Sequence, residues 1–141
     1  MTYLLGSDII AELASSNPDP SVILWLDSQS ENSVYISVVN IAEISELIEK
    51  ETSASAKSHL KNWLNNDLLV RFSDRINEVN VPVSVKWGEI INQNSSTKPV
   101  ITVSDSLLMA IALEYDHTIV TRDTSCFASN GVKTLNPFIQ E

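Results

Sequence analysis

The sequence is poor in cysteine, histidine, glycine and basic residues, and each shortage excludes something. Its single cysteine, Cys126, has no partner for an internal disulfide, and the absence of any Cys-x-x-Cys or Cys/His cluster excludes a structural zinc site. The two histidines, His59 and His117, lie far apart in sequence, which gives little support to a histidine-based catalytic dyad. Three glycines (Gly6, Gly88 and Gly131) are few for a loop-rich all-β fold and favour a helix-rich one. No apolar run approaches the ~18 residues of a membrane-spanning helix. Met1-Thr2-Tyr3-Leu4-Leu5 lacks the basic start of a secretion signal, so a cytoplasmic protein with no membrane attachment is expected. Lys and Arg number 9 against 18 Asp and Glu, a net charge of −9. Such a surface repels nucleic-acid phosphates at long range and, taken alone, speaks against a nucleic-acid partner.

What is present fits one globular domain spanning residues 1–141, with 43% hydrophobic residues to build a core. Tyr3-Leu4-Leu5 reads as a short buried strand, followed by a helix over 9–15. Asn17-Pro18-Asp19-Pro20 opens a second helix that ends near Gln29. Val34-Tyr35-Ile36-Ser37-Val38 is strand-like and runs straight into a helix over 40–50, where Ile41, Ile44, Leu47 and Ile48 share a face. A helix is expected over 53–66, a short strand at Leu68-Leu69-Val70, and a helical stretch over 76–92 broken near Pro82. The segment 95–99 reads as a polar loop, 103–115 as a strong helix, 118–121 as a strand and 132–135 as a last strand after a turn at Gly131. About five short strands alternating with about six helices predict an α/β fold whose parallel sheet is covered on both faces. In such sheets, chemistry collects at the carboxyl ends of the strands.

Acidic residues recur at those ends. Asp8 follows the first strand, Glu43 lies in the first turns of the helix after the second, Asp105 opens the long helix, and Asp123 follows the 118–121 strand. Each also has an ordinary structural reading. Asp8 suits a helix N-cap, Glu43 falls in step with Glu46 and Glu49 as a solvated stripe, Asp105 complements a helix dipole, and Asp123 suits a turn. Four carboxylates converging in one pocket need an offsetting positive charge. A hard divalent cation, Mg²⁺ or Mn²⁺, is the natural partner and can activate water for phosphodiester cleavage. Lys57, Lys61, Arg71 and Arg75 cluster in a short stretch, either as a solvated helix face or as a guide for RNA.

Six segments in order resemble the PIN-domain family, in its VapC-like and FitB-like branch of toxin–antitoxin ribonucleases. Leu4-Leu5-Gly6-Ser7-Asp8-Ile9-Ile10-Ala11-Glu12-Leu13 resembles the family's opening, and Asn17-Pro18-Asp19-Pro20 through Trp25-Leu26 resembles its next helix. Tyr35-Ile36-Ser37-Val38-Val39-Asn40-Ile41-Ala42-Glu43-Ile44 is similar to its second acidic segment, and Asp105-Ser106-Leu107-Leu108-Met109-Ala110 to its third. Thr118-Ile119-Val120-Thr121-Arg122-Asp123-Thr124 is similar to the Leu-Val-Thr-Arg-Asn/Asp-Thr segment, and Leu135-Asn136-Pro137-Phe138 to the branch's C-terminal ending. The resemblance implies a PIN-like α/β/α sandwich and a Mg²⁺- or Mn²⁺-dependent endoribonuclease toxin. It also implies a homodimer that is neutralised by a cognate antitoxin. It puts Glu43, Asp105 and Asp123 on the second, third and fourth acidic positions and assigns site-orienting hydroxyls to Ser7 and Thr121.

At the first acidic position, where the family has Asp, this chain has Gly6. Glycine cannot bind metal. Asp8, two residues on, is the candidate for a displaced metal-binding carboxylate, and impaired cleavage is expected because Mg²⁺ demands strict octahedral geometry. The alternative is an inactive PIN-fold module that pairs with an antitoxin or with itself. A phosphoacceptor domain of the receiver type ranks far behind both, since it would need paired acids after the first strand and a late lysine.

Overall fold

Five short strands are laid side by side in the order β3-β2-β1-β4-β5, every neighbouring pair parallel. They are β1 Thr2–Leu5, β2 Val34–Ser37, β3 Ile76–Asn77, β4 His117–Val120 and β5 Thr134–Leu135 in a computed structural model that describes residues 1–97 and 100–138. Among the described residues there are eight helices: α1 Ser7–Ala14, α2 Pro20–Asp27, α3 Val38–Glu49, α4 Ala54–Trp63, α5 Leu69–Arg71, α6 Val81–Gln93, α7 Val103–Tyr115 and α8 Ser125–Ala128. Short strands suffice because they are apolar on both sides. Leu4 and Leu5 are completely buried, and so are Ile119 and Val120, yet successive strand residues point to opposite faces. Leu5 and Val120 join a core with Ile10, Val22, Ile44, Leu64 and Phe72, under α1–α5. Leu4 and Ile119 join a second core with Val83, Ile90, Met109 and Ile111, under α6 and α7. The result is the expected α/β/α sandwich.

Helix starts follow their capping residues. Asp19 accepts from Ser21 N–H with Pro20 at the first helical position, and Ser37 forms a reciprocal capping box with Asn40. Asn80 caps α6 by accepting from Val83 N–H, and Thr102 caps α7 by accepting from Asp105 N–H.

Three expectations are corrected. Leu68-Leu69-Val70 is helical: α4 widens into one π turn, Leu64–Leu68, and continues as α5, because Leu64, Leu68 and Phe72 form a buried face at helical spacing. The third strand is instead Ile76–Asn77, within the stretch expected to be helical, where Ile36 N–H donates to Arg75 O beside β2. Pro82 breaks nothing; it sits in the first turn of α6, where its missing N–H has no intrahelical role. Of the polar loop expected over 95–99, Lys98 and Pro99 lie outside the described residues.

At the edge of the sheet opposite the carboxylates, His117 is buried between the rings of Tyr35 and Tyr115, 4.8 and 6.0 Å away. Its Nε2 bonds to Asn77 Oδ1 at 2.9 Å and its Nδ1 to the Thr2 hydroxyl at 2.6 Å, a pairing that suits a neutral ring. Burial pushes its pKa down to about 4. The unfolded chain therefore binds this proton more tightly than the folded one, so the stability His117 contributes is present above pH 6.5 and lost as pH falls towards 4. The loss is at most about 3 kcal/mol. Thermal melts across that window should show a steeper decline for the parent than for His117→Asn; matching profiles would remove His117 as the cause.

Candidate active site

The sheet order determines where the acids meet. Because β1 lies between β2 and β4, the segments leaving these three strands emerge side by side, and Gly6 N–H donates to Val120 O at 2.8 Å across the exit. Helices α1 and α3 begin within two residues of their strands, which holds their first turns at the same edge. There, Ser7, Asp8, Glu43, Asp105, Thr121 and Asp123 line one open cavity of about 300 Å³, with Leu108, Cys126 and Phe127 as its remaining wall beyond Gly6. The structure thus brings together all six side chains singled out in the sequence.

Their environments differ. Glu43 is half-buried, and burial pushes its carboxyl above the usual range, aided by Asp105, Glu46 and Asp8 and opposed by the Ser7 hydrogen bond. Asp105 is also half-buried and shifted up, by burial first and by Asp123 in addition, against a hydrogen bond from Thr102. Asp123 is exposed and accepts from Ser125 Oγ at 3.0 Å. Asp8 is the most constrained: Ile9 N–H donates to Oδ1 at 3.0 Å, Arg122 N–H to Oδ2 at 2.8 Å, and Thr121 Oγ1 lies 3.1 Å from both oxygens. Cys126 is pushed up by burial and by Asp105 and Asp123, so its thiol stays protonated and is no nucleophile.

Asn40, which the sequence reading passed over, organises one side of the cavity. It is completely buried, and its Oδ1 accepts from both Ser37 N–H and Ser37 Oγ at 2.8 Å. That fixes the amide orientation, so Nδ2 donates to Ser7 Oγ at 3.0 Å, and the Ser7 proton is left to go to Glu43 Oε1 at 2.9 Å. The available signal was the Ser37-x-x-Asn40 spacing at the strand-to-helix junction.

Chemically this is a hard-oxygen donor set whose buried members repel one another, the condition that a divalent cation relieves. It is an open site. Among the described residues, no three His, Cys, Asp or Glu side chains stand close enough to form a finished metal cage. Mg²⁺ and Mn²⁺ are in general held by one or two carboxylates together with waters and substrate phosphate.

The basic cluster is largely engaged in ion pairs or buried. Arg75 is buried, Arg71 pairs with Glu31 at 2.8 Å, and Lys57 and Lys61 each pair with Glu49 at 3.1 Å. No helix of the described residues is long and apolar enough to cross a membrane.

Comparison with known proteins gives concordant results. A family model described as PIN domain matches residues 3–132. A VapC ribonuclease of Sinorhizobium fredii is 25% identical over 96% of both chains. Toxin FitB of Neisseria gonorrhoeae is 28% identical over 96% of this chain and 97% of its own. The crystal structure of FitAcB from Neisseria gonorrhoeae superimposes with a TM-score of 0.89 at 28% identity, covering 97% of this chain and 99% of the other.

Proposed function

Since the chain belongs to the PIN domain family, we propose that it is a divalent-metal-dependent endoribonuclease toxin of a toxin–antitoxin pair. One observation carries the reading: four carboxylates, three from the helices α1, α3 and α7 and one from the loop after β4, line a single open cavity at the carboxyl edge of the sheet. Glu43, Asp105 and Asp123 are the residues that would hold Mg²⁺ or Mn²⁺, with Asp8 as the fourth carboxylate. When bound, the ion supplies water activation and neutralisation of charge on the scissile phosphate. The chain's own contribution is orientation: Asn40 and Ser7 aim Glu43, Thr121 and the Arg122 N–H hold Asp8, and Leu108 and Phe127 form an apolar wall. The relative named Toxin FitB and the likeness to the FitAcB structure support a companion antitoxin as partner. Val81 and Val85, 76% and 61% exposed one turn apart on α6, support self-association as a homodimer. The same reading assigns the protein to the cytoplasm, with its RNA.

A second reading keeps the fold and partner but not the cleavage. It is favoured by Gly6, which offers no ligand, and by the donors that already occupy both Asp8 oxygens. Mn²⁺ titration and cleavage of a fluorogenic single-stranded RNA separate the two. The ribonuclease reading expects cleavage that needs Mn²⁺, stops with chelator and falls at least ~100-fold in Glu43→Gln. Mn²⁺ binding without any cleavage would instead establish the binding module.

A further inference from the structure

Nothing in the backbone demands glycine at position 6. Its φ of −72° and ψ of 158° are open to any residue. The demand is for space. A Cβ on Gly6 would lie 2.7 Å from Asp8 Oδ1, 3.0 Å from the Val120 carbonyl oxygen and 3.2 Å from Thr121 Cβ. The Asp8 carboxylate therefore stands where a side chain of residue 6 would begin. Asp8 is exposed, but its carboxylate cannot swing aside without breaking hydrogen bonds. Three donors hold it, from Ile9, Thr121 and Arg122, and the last two belong to the segment after β4. That segment is itself tied to the C-terminal stretch, where Asn136 Nδ2 donates to Arg122 O at 3.1 Å and the Arg122 guanidinium stacks 3.8 Å from the Phe138 ring.

We infer that Gly6 and Asp8 form a single exchange: the carboxylate that the family pattern supplies from position 6 comes here from position 8, and glycine is the residue that makes room for it. The site is relocated, not emptied, and the two positions exclude one another. A carboxylate restored at position 6 evicts Asp8 and breaks its hydrogen bonds to the β4 exit, so the single back-substitution damages the protein where simple restoration of a ligand would improve it. A carboxylate has about four lone-pair positions. Three donors leave one for a cation, and Asp8 lines both this cavity and the neighbouring one beside Glu46 and Ser104. The steric half of this inference stands on the geometry alone; the ligand half rests on the metal-dependent reading proposed above.

The test is a cycle of four proteins: the parent, Gly6→Asp, Asp8→Ala and the double variant. Thermal melts without metal read the steric half. Gly6→Asp should lower Tm by several degrees in the parent and by markedly less in the Asp8→Ala background. Gly6→Ala, measured in the same two backgrounds, gives the same comparison without a new charge should Gly6→Asp fail to fold. Equal Tm losses in both backgrounds would overturn the exchange. Mn²⁺ binding, followed by electron paramagnetic resonance of the free ion, reads the ligand half. Asp8→Ala should bind at least ~10-fold more weakly than the parent, and the double variant should recover most of that loss. Equal affinity of the parent and Asp8→Ala would overturn the role of Asp8. No Mn²⁺ binding by any of the four would overturn the metal-dependent reading itself, while the Tm cycle still decides the exchange.

Discussion

Replacing Asp105 with Asn is expected to cut RNA cleavage by ~10³-fold, about 4 kcal/mol of barrier, while leaving the fold as stable as before or more so. The two effects have one origin. Asp105 sits in the first turn of α7, with its N–H donating to Thr102 Oγ1 at 3.1 Å and its carboxyl half-buried beside Leu108 and Cys126. Burial and the neighbouring Asp123 raise its pKa, so the folded protein holds this proton more tightly than the unfolded chain does. The sign follows: ionising Asp105 costs stability, and that cost is present above its folded pKa and disappears as pH falls below it. An amide of the same shape removes the repulsion along with the cation ligand, the usual exchange between stability and activity at a strained site. Melts and cleavage assays of the same preparation check both halves. A clear loss of stability in Asp105→Asn would mark the carboxylate as structural. The same shifts predict that cation binding weakens on mild acidification, before ordinary surface carboxylates titrate, because Glu43 and Asp105 take up protons first.

How far the sequence spoke depended on the range of the interaction concerned. Strands β1, β2 and β4 and helices α3 and α7 were legible because each buries a run or face of apolar residues whose period is local. Three residues as short as Leu68-Leu69-Val70 carry no period, so strand and helix could be separated only by reaching back to Leu64 and forward to Phe72. β3 is two half-buried residues at the edge of the sheet, a strand defined by its neighbour β2 more than by its own side chains. The acids were legible through one topological rule about strand ends. The state of Asp8 was not, since its partners Thr121 and Arg122 lie 113 and 114 residues away and reach it only because β1 and β4 are adjacent. Charge was similarly opaque. Of the eight described Lys and Arg, seven are in ion pairs, and Arg122, the exception, lies beside the acidic cavity. RNA reaching this edge would meet little free positive charge from those residues, so the balance of −9 makes cation occupancy the main means of offsetting repulsion.

The largest loss of stability is expected from a residue that resembled a surface cation. Arg75→Met should cost about 3 kcal/mol or more, and Arg75→Lys nearly as much. The guanidinium is 5% exposed and serves as a hub between three elements. Nη1 donates to Glu31 O at 2.7 Å and to Val34 O; Nη2 donates to Arg71 O at 2.7 Å and to Glu31 Oε1 at 3.1 Å. The group also lies 4.7 Å from the buried Phe72 ring, and the Arg75 backbone bonds to the neighbouring strand through Ile36 N–H. Three carbonyls, at the start of β2, in the turn before it and at the end of α5, thus depend on one planar donor fork. A lysine ammonium carries the charge but cannot span the same spread of acceptors. Arg71 gives the internal control. It pairs with the same Glu31 and is the main cause of that carboxyl's lowered pKa, but it is 40% exposed, so Arg71→Ala should cost no more than about 1 kcal/mol. Urea unfolding at neutral pH, compared at constant m-value, separates the two outcomes. Full stability of Arg75→Lys would show that the positive charge, and not the planar donor fork, holds these three carbonyls.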